Sequence, residues 1–239
     1  MLPVRHKARK ISYTYSSVSG CYSFRGEKTI MFESLLERDL LTLLEFNDSV
    51  MDVEEQPFTI TYENANGREV TYTPDFLVTF HSSPQSNSMP THKKPMIIEV
   101  KPSGVLKKKF HELRPKFKIA TRYAQENDYI FKLYDDNRIR GVELNNITFL
   151  KRYKKTHFEA AEEFRILEHL KAVGHTQIDH LVEVLYVSKD KQAVALSHLY
   201  HLMYHKKIGL DIGQKITQWS TIWLNINETY EEGVLNDIK

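Results

Sequence analysis

Two rhythms of apolar and polar residues divide this 239-residue chain. In the first, short alternating runs predominate. Phe58, Ile60 and Tyr62 alternate with Thr59 and Thr61, which puts each set on its own face of a strand. The pattern predicts a strand over residues 50–63. Asn64, Ala65, Asn66 and Gly67 then make a turn; Asn-Gly is a strong hairpin signal because both residues tolerate positive φ. The return strand is predicted over residues 68–80. A polar, proline-containing loop over residues 81–95 leads to an apolar strand at 96–101, a helix to about residue 126, a strand at 129–134 and a short helix near 143–153. Ahead of these, Phe32, Leu36, Leu40 and Leu43 recur at steps of three and four, predicting a helix over residues 30–46. Residues 1–28 begin basic, continue rich in Ser, Tyr and Gly, and read as an extended arm.

The second rhythm starts near residue 157. FEAAEEFRILEHLKAVG is amphipathic and ends at Gly174, a residue suited to the left-handed position that closes a helix. Thr176 is placed to cap a second helix running to about residue 185, and Ser188 a third running to about residue 206. Two short strands follow, and Trp219 and Trp223, at strand spacing, read as core. The expected architecture is an α/β core with a mixed sheet over residues 1–155, then a mostly helical, winged-helix-like domain over residues 156–239.

Composition narrows the function. A single cysteine, Cys21, excludes disulfide frameworks and cysteine-rich zinc sites. No apolar run approaches the roughly 18 residues of a membrane span, and the N-terminal segment lacks an apolar signal core, so a cytoplasmic protein is expected. Of eleven histidines, His198, His201 and His205 lie at helical spacing and read as a polar helix face. The net charge of +2 conceals an asymmetry. Residues 1–155 hold 25 Lys and Arg against 19 Asp and Glu, a net +6; residues 156–239 hold 8 against 12, a net −4. The first part suits an anionic polymer and the second suits it poorly.

IIEVKP, residues 97–102, raises the chemical question. Glu99 and Lys101 interrupt an apolar strand, where each buried ion costs several kcal/mol. Either the strand has a wet face and both side chains meet water, or period-2 geometry aims both at one point. Thr73-Pro74-Asp75 bears on the choice. Proline removes a ladder donor and marks an irregularity, and Asp75 then leads into the neighbouring strand. Asp75 and Glu99 supply the hard oxygens that Mg²⁺ takes, and the carbonyl of Val100 is a further ligand candidate. Lys101 points the same way as Glu99 and is placed to orient or deprotonate a water, or to stabilise charge on phosphate. This is the equipment of a phosphodiester hydrolase. Glu37 is a candidate third carboxylate on the flank of the first helix, with Glu33 its competitor. In the plainer reading of Glu37, Ser34-Leu35-Leu36-Glu37 is a capping box; Phe32 in the helical stripe argues against that reading.

Lys107, Lys108, Lys109, Arg114, Lys116, Lys118 and Arg122 face only Glu112 and Glu126 across residues 102–126. A solvated helix face mixes signs, so this excess reads as a phosphate-contacting surface, with Arg5, Lys7, Arg9 and Lys10 of the arm as further DNA contacts.

The Pro-Asp…Glu-x-Lys pattern resembles the PD-(D/E)xK nuclease superfamily. The wider set, ESLLERDLLTLLEFNDSVMDVEEQP, TPDFLV and IIEVKPS, resembles TnsA-type transposon endonucleases from about residue 30 onward. The resemblance matches Glu37 to the family's helix carboxylate, Asp75 to its metal-binding Asp and Lys101 to its lysine. At position 99, where some relatives carry Gln, this chain has the superfamily's acidic residue. It implies a restriction-endonuclease-like fold and Mg²⁺-dependent cutting of the 5′, non-transferred strands at transposon ends, with Mn²⁺ able to substitute. It also implies two partners, an integrase-type transposase and an AAA+ ATPase regulator. The alternatives are a stand-alone restriction-like or repair nuclease, and a non-catalytic winged-helix DNA-binding adaptor.

Overall fold

The structure is a computed structural model that describes residues 18–64, 66–82 and 93–225. It divides after Gly141 into two compact units. The expected boundary lay at 155/156. The helix between the two positions falls in the second unit because Leu150 is fully buried in that unit's core.

The first unit opens with a hairpin, β1 (Gly20–Phe24) against β2 (Lys28–Phe32), whose turn takes Arg25 and Gly26 to positive φ. This corrects two expectations. From residue 20 the chain is core hairpin rather than arm, since Tyr22, Phe24, Ile30 and Phe32 are all buried; residues 1–17 lie outside the described residues. Phe32 also belongs to a strand, so the first helix, α1, is shorter than predicted and spans Leu35–Phe46.

The predicted pair of long strands is broken in two. β3 (Val50–Glu55) and β4 (Ile60–Glu63) lie on one side of the turn, β5 (Glu69–Tyr72) and β6 (Phe76–Phe80) on the other. Pro74 stands in the second break, and Gln56, at φ 45°, in the first. The Gln56 N–H donates to the Asp75 carbonyl across the gap at 2.9 Å. β4 and β5 form their own two-stranded hairpin, turned at Gly67 (φ 70°), while β3 and β6 enter the central sheet.

That sheet has the order β3-β6-β7-β8, with β7 at Met96–Val100 and β8 at Ile130–Tyr134. β3, β6 and β7 run antiparallel; β7 and β8 are parallel, joined by α2 (Ser103–Glu126), so the sheet is mixed. Strand alternation sorts the side chains. Ile98 and Val100 pack with α1 and the first hairpin, whereas Leu77 and Ile97 pack with Ala124 of α2. Glu99 and Lys101 share the parity of Ile97 and therefore sit on the α2 side. α3 (Asp136–Ile139) closes the unit.

The second unit contains α4 (Val142–Lys151), α5 (Ala160–Val173), β9 (His175–Gln177), α6 (Ile178–Leu185), α7 (Lys189–Tyr204), β10 (Ile208–Leu210) and β11 (Thr221–Leu224). Its sheet is antiparallel, ordered β10-β11-β9. Gly174 closes α5 at φ 77°, its N–H donating to the Leu170 carbonyl at 2.8 Å. Thr176 is a strand residue and does not cap α6. His201 Nδ1 and His205 Nε2 contact the carbonyls of Tyr153 and Lys154 at 2.9 and 3.0 Å. Trp219 and Trp223 are 62% and 38% exposed, not core. Trp223 lies over Gly209, where a Cβ would stand 2.2 Å from the indole nitrogen.

Candidate active site

The four residues picked out as catalytic come from three elements of the first unit. β6 and β7 pair at Phe76↔Ile98, so one step further brings Asp75 opposite Glu99. The Val100 N–H donates to Asp75 Oδ2 at 2.7 Å, which fixes the carboxylate against β7. Pro74, by interrupting the ladder just before it, leaves room for this side-chain bond. Lys101 follows β7 directly; its N–H donates to the Tyr134 carbonyl of β8 at 2.9 Å. Asp136 accepts from the Ser103 N–H and hydroxyl at 2.5 and 2.9 Å, fixing the start of α2 two residues on.

The Lys101 side chain marks where the oxygens converge. Its Nζ lies 3.0 Å from the Val100 carbonyl, 3.0 Å from Glu99 Oε1 and 3.6 Å from Asp75 Oδ2. Two carboxylates and a carbonyl therefore already surround one cationic nitrogen. Among the described residues no group of three or more His, Cys, Asp and Glu forms a metal cage. The oxygen set of Asp75, Glu99 and Val100 nonetheless has the composition Mg²⁺ uses, since that ion keeps several waters and needs only one or two carboxylates.

Glu99 is fully buried, against the plain wet-face reading of its strand. Three groups satisfy it. Tyr72 of β5 donates its hydroxyl to Oε2 at 2.8 Å, while the ammoniums of Lys101 and Lys116 meet at Oε1, at 3.0 and 2.9 Å. The Lys116 ammonium also stands 4.4 Å from the centre of the Tyr72 ring. Sequence reading missed Tyr72 altogether and placed Lys116 on the outward basic face; instead Lys116 turns into the site. A signal was there: Lys116 shares helical phase with Ala120 and Ala124, the buried face of α2. The other six basic residues of α2, at 107, 108, 109, 114, 118 and 122, are exposed. Arg114, Lys118 and Arg122 lie along one stripe beside Phe110 and Phe117, lining an open groove of about 400 Å³. Arg5, Lys7, Arg9 and Lys10 lie outside the described residues.

Glu37 does two things. As expected only in the plainer reading, Ser34 caps α1: its hydroxyl accepts from the Glu37 N–H at 3.2 Å, and the Glu37 carboxylate returns to the Ser34 hydroxyl and the Glu33 N–H, both at 2.8 Å. Phe32 ends a strand, so the helix starts where the capping box puts it. The same carboxylate acts electrostatically on Asp75 and Lys101. Glu33 instead accepts from the side-chain amide of Gln56 at 3.2 Å.

The charges are strongly biased by this packing. Burial, and then the nearby Glu99 carboxylate, push Asp75 up to about 7, against the pull of Lys101 and the Val100 N–H. Burial also works to raise Glu99, but Lys101 and Lys116 overcome it and hold the carboxyl below its ordinary value. Burial disfavours the charge of Lys101, yet Asp75 and Glu99 raise it well above an ordinary lysine. Lys101 is therefore a firmly held ammonium, suited to donating hydrogen bonds rather than accepting protons. Burial raises Glu37, opposed by its bonds to Glu33 and Ser34 and by Lys101.

The family described as TnsA-like endonuclease N terminal matches residues 47–136, and the family described as TnsA endonuclease C terminal matches residues 139–212. No curated protein matches the chain. The first match contains Asp75, Glu99 and Lys101 but begins after Glu37, and the junction of the two matches lies beside the structural division at Gly141. Two consecutive TnsA matches covering more than two thirds of the chain, over an α/β unit and a helical one, make it a member of the TnsA family of transposition endonucleases.

Proposed function

We propose that this chain cuts the 5′, non-transferred strands at transposon ends in a Mg²⁺-dependent reaction. It works beside an integrase-type transposase that cuts the 3′ strands and under an AAA+ ATPase regulator, in the cytoplasm on nucleoid DNA. The observation that carries this reading is the convergence of Asp75, Glu99 and the Val100 carbonyl on one cationic nitrogen. Asp75, Glu99 and Val100 would hold the ion, with Glu37 as the further carboxylate acting on the same group; Mn²⁺, another oxygen-preferring cation, substitutes. When bound, the metal acts as a Lewis acid on phosphate and lowers the pKa of water. Lys101, kept as an ammonium, donates to a phosphate oxygen or orients the attacking water. The exposed Lys107, Lys108, Lys109, Arg114, Lys118 and Arg122, together with Arg5, Lys7, Arg9 and Lys10, neutralise backbone phosphates without reading sequence.

For the first unit we favour a restriction-endonuclease-like fold and for the second a winged-helix-like one, the latter supported by the element order strand, helix, helix and two paired strands from β9 to β11. Within it, residues 156–239 carry a net −4, which favours contact with the transposase or the ATPase over contact with DNA, although Lys151, Arg152, Lys154 and Lys155 bring the unit as a whole to 12 Lys and Arg against 13 Asp and Glu, a net −1. The test is transposon-end cleavage reconstituted with both partners. Asp75→Ala, or chelation of divalent metal, is expected to abolish 5′-strand cutting; with the metal kept, Asp75→Ala leaves the 3′ cuts in place. Undiminished 5′-strand cutting by Asp75→Ala overturns the reading.

A further inference from the structure

Lys116 has no part in the proposed reaction, yet it is bonded to the most buried charged side chain among the described residues of the first unit. Its ammonium is 2.9 Å from Glu99 Oε1, the same oxygen that Lys101 reaches at 3.0 Å. The two lysines differ in their other contacts. Lys101 also touches Asp75 and the Val100 carbonyl, so it occupies the point where a metal ion would sit. Lys116 touches neither; it lies over the Tyr72 ring, whose hydroxyl holds the second oxygen of Glu99. A cation held by that oxygen set would take the place of the Lys101 ammonium, whereas the Lys116 contact lies outside the set. Glu99 would then remain held at both oxygens, by Tyr72 and Lys116, with the Lys101 ammonium free to face substrate.

The contact has an electrostatic consequence. A unit positive charge at hydrogen-bond distance from a buried ligand opposes a second cation on that ligand, and the low local dielectric strengthens the opposition. A DNA phosphate arriving at the site brings one negative charge and offsets it.

We propose that Lys116 is a positioning residue acting through Glu99, its positive charge at Oε1 keeping divalent-metal affinity low until DNA is present. The inference rests on the metal reading above. Its distinguishing consequence is a gain: removing the positive charge should tighten metal binding, whereas damage to a structural contact would weaken it.

The test is Mn²⁺ titration of the full-length protein without DNA, followed by the paramagnetic resonance of the free ion. Lys116→Gln is expected to bind Mn²⁺ about tenfold more tightly than wild type, by analogy with the roughly one-unit shift at the low end of what a neighbouring charge does to proton binding on a carboxylate. Lys116→Arg, which keeps the charge, is expected to remain near wild type. A parallel Ca²⁺ titration by calorimetry is expected to show tighter binding by wild type when a short duplex is present. If Lys116→Gln binds Mn²⁺ no more tightly than wild type, or if the duplex leaves Ca²⁺ affinity unchanged, the inference is wrong. Asp75→Ala separates this from failure of the metal reading. If wild type takes up no more Mn²⁺ than Asp75→Ala, with or without duplex, the metal reading itself fails.

Discussion

Each unit buries a polar side chain at a structurally central point, and the two are built to opposite ends. In the second unit Asn146 of α4, 5% exposed, donates its amide to the carbonyls of Ile212 and Gln214 at 2.8 and 2.6 Å and accepts from the Ile216 N–H at 3.2 Å. Nothing in that network is charged, and it ties down the loop between β10 and β11. In the first unit Glu99 is equally satisfied, but every contact at its Oε1 is a cation. A neutral, saturated network adds rigidity at modest cost. A charged one costs desolvation and is stable only while its counter-ions stay. The first network therefore reads as architecture, and the second as a socket whose occupant can be exchanged.

The largest effect should come from emptying the socket of its second carboxylate. Asp75→Ala is expected to lower 5′-strand cleavage by roughly a thousandfold or more, a loss of transition-state stabilisation, with the circular dichroism of the fold unchanged. A variant that unfolds would show that Asp75 belongs with Asn146 as a structural group.

Asn146→Ala should do the reverse. Two carbonyls and one N–H lose their partner inside the second unit, a cost of about 2–3 kcal/mol in unfolding free energy. Denaturant titration should show that loss, while Mn²⁺ uptake by the first unit stays as in wild type.

A smaller effect should appear in pH dependence without metal. Asp75 titrates higher in the folded protein, near 7, than in the unfolded chain. The folded state therefore keeps a proton that the unfolded state releases. This stabilising contribution is fully present below the ordinary carboxylate value and is lost as pH rises through about 7. Thermal melts of wild type minus Asp75→Asn, taken in chelator, should show wild type falling behind over that window. A constant difference across it would mean that Asp75 is not held in its raised state.

The smallest effect concerns the outer face of α2. Single replacement of Arg114, Lys118 or Arg122 by Ala should weaken binding to all duplexes alike and reduce the salt slope by about 1. An unchanged slope would take that residue off the phosphate path.

The socket was more legible than its setting. Asp75, Glu99 and Lys101 are found by strand parity and a proline, both local rules, and the structure places them within one another's reach. Glu37 was harder, because Phe32 extends the helical stripe of Leu36 and Leu40 although it lies in a strand; a two-residue gap at Glu33 and Ser34 separates two elements that share one apolar phase. Lys116 was hidden among six other cations, and only its phase with Ala120 and Ala124 sets it apart. Tyr72 and Asn146 carry no local signal, since each depends on an element distant in sequence. The helix of Leu144, Ile147 and Leu150 has the same apolar pattern whichever core takes it, so its sequence did not show that Leu150 belongs to the second unit's core.

The placement of the two tryptophans has an optical consequence. They are the only ones in the chain, and both stand partly exposed in the second unit. Indole emission therefore reports on that unit alone, and the first unit is silent in it. Tyrosine absorbance and far-ultraviolet dichroism see both. Recording the signals together through one melt separates the unfolding of the two units without any label. Because a side chain at position 209 would displace the Trp223 ring, Gly209→Ala offers a way to tell the emission of Trp223 from that of Trp219.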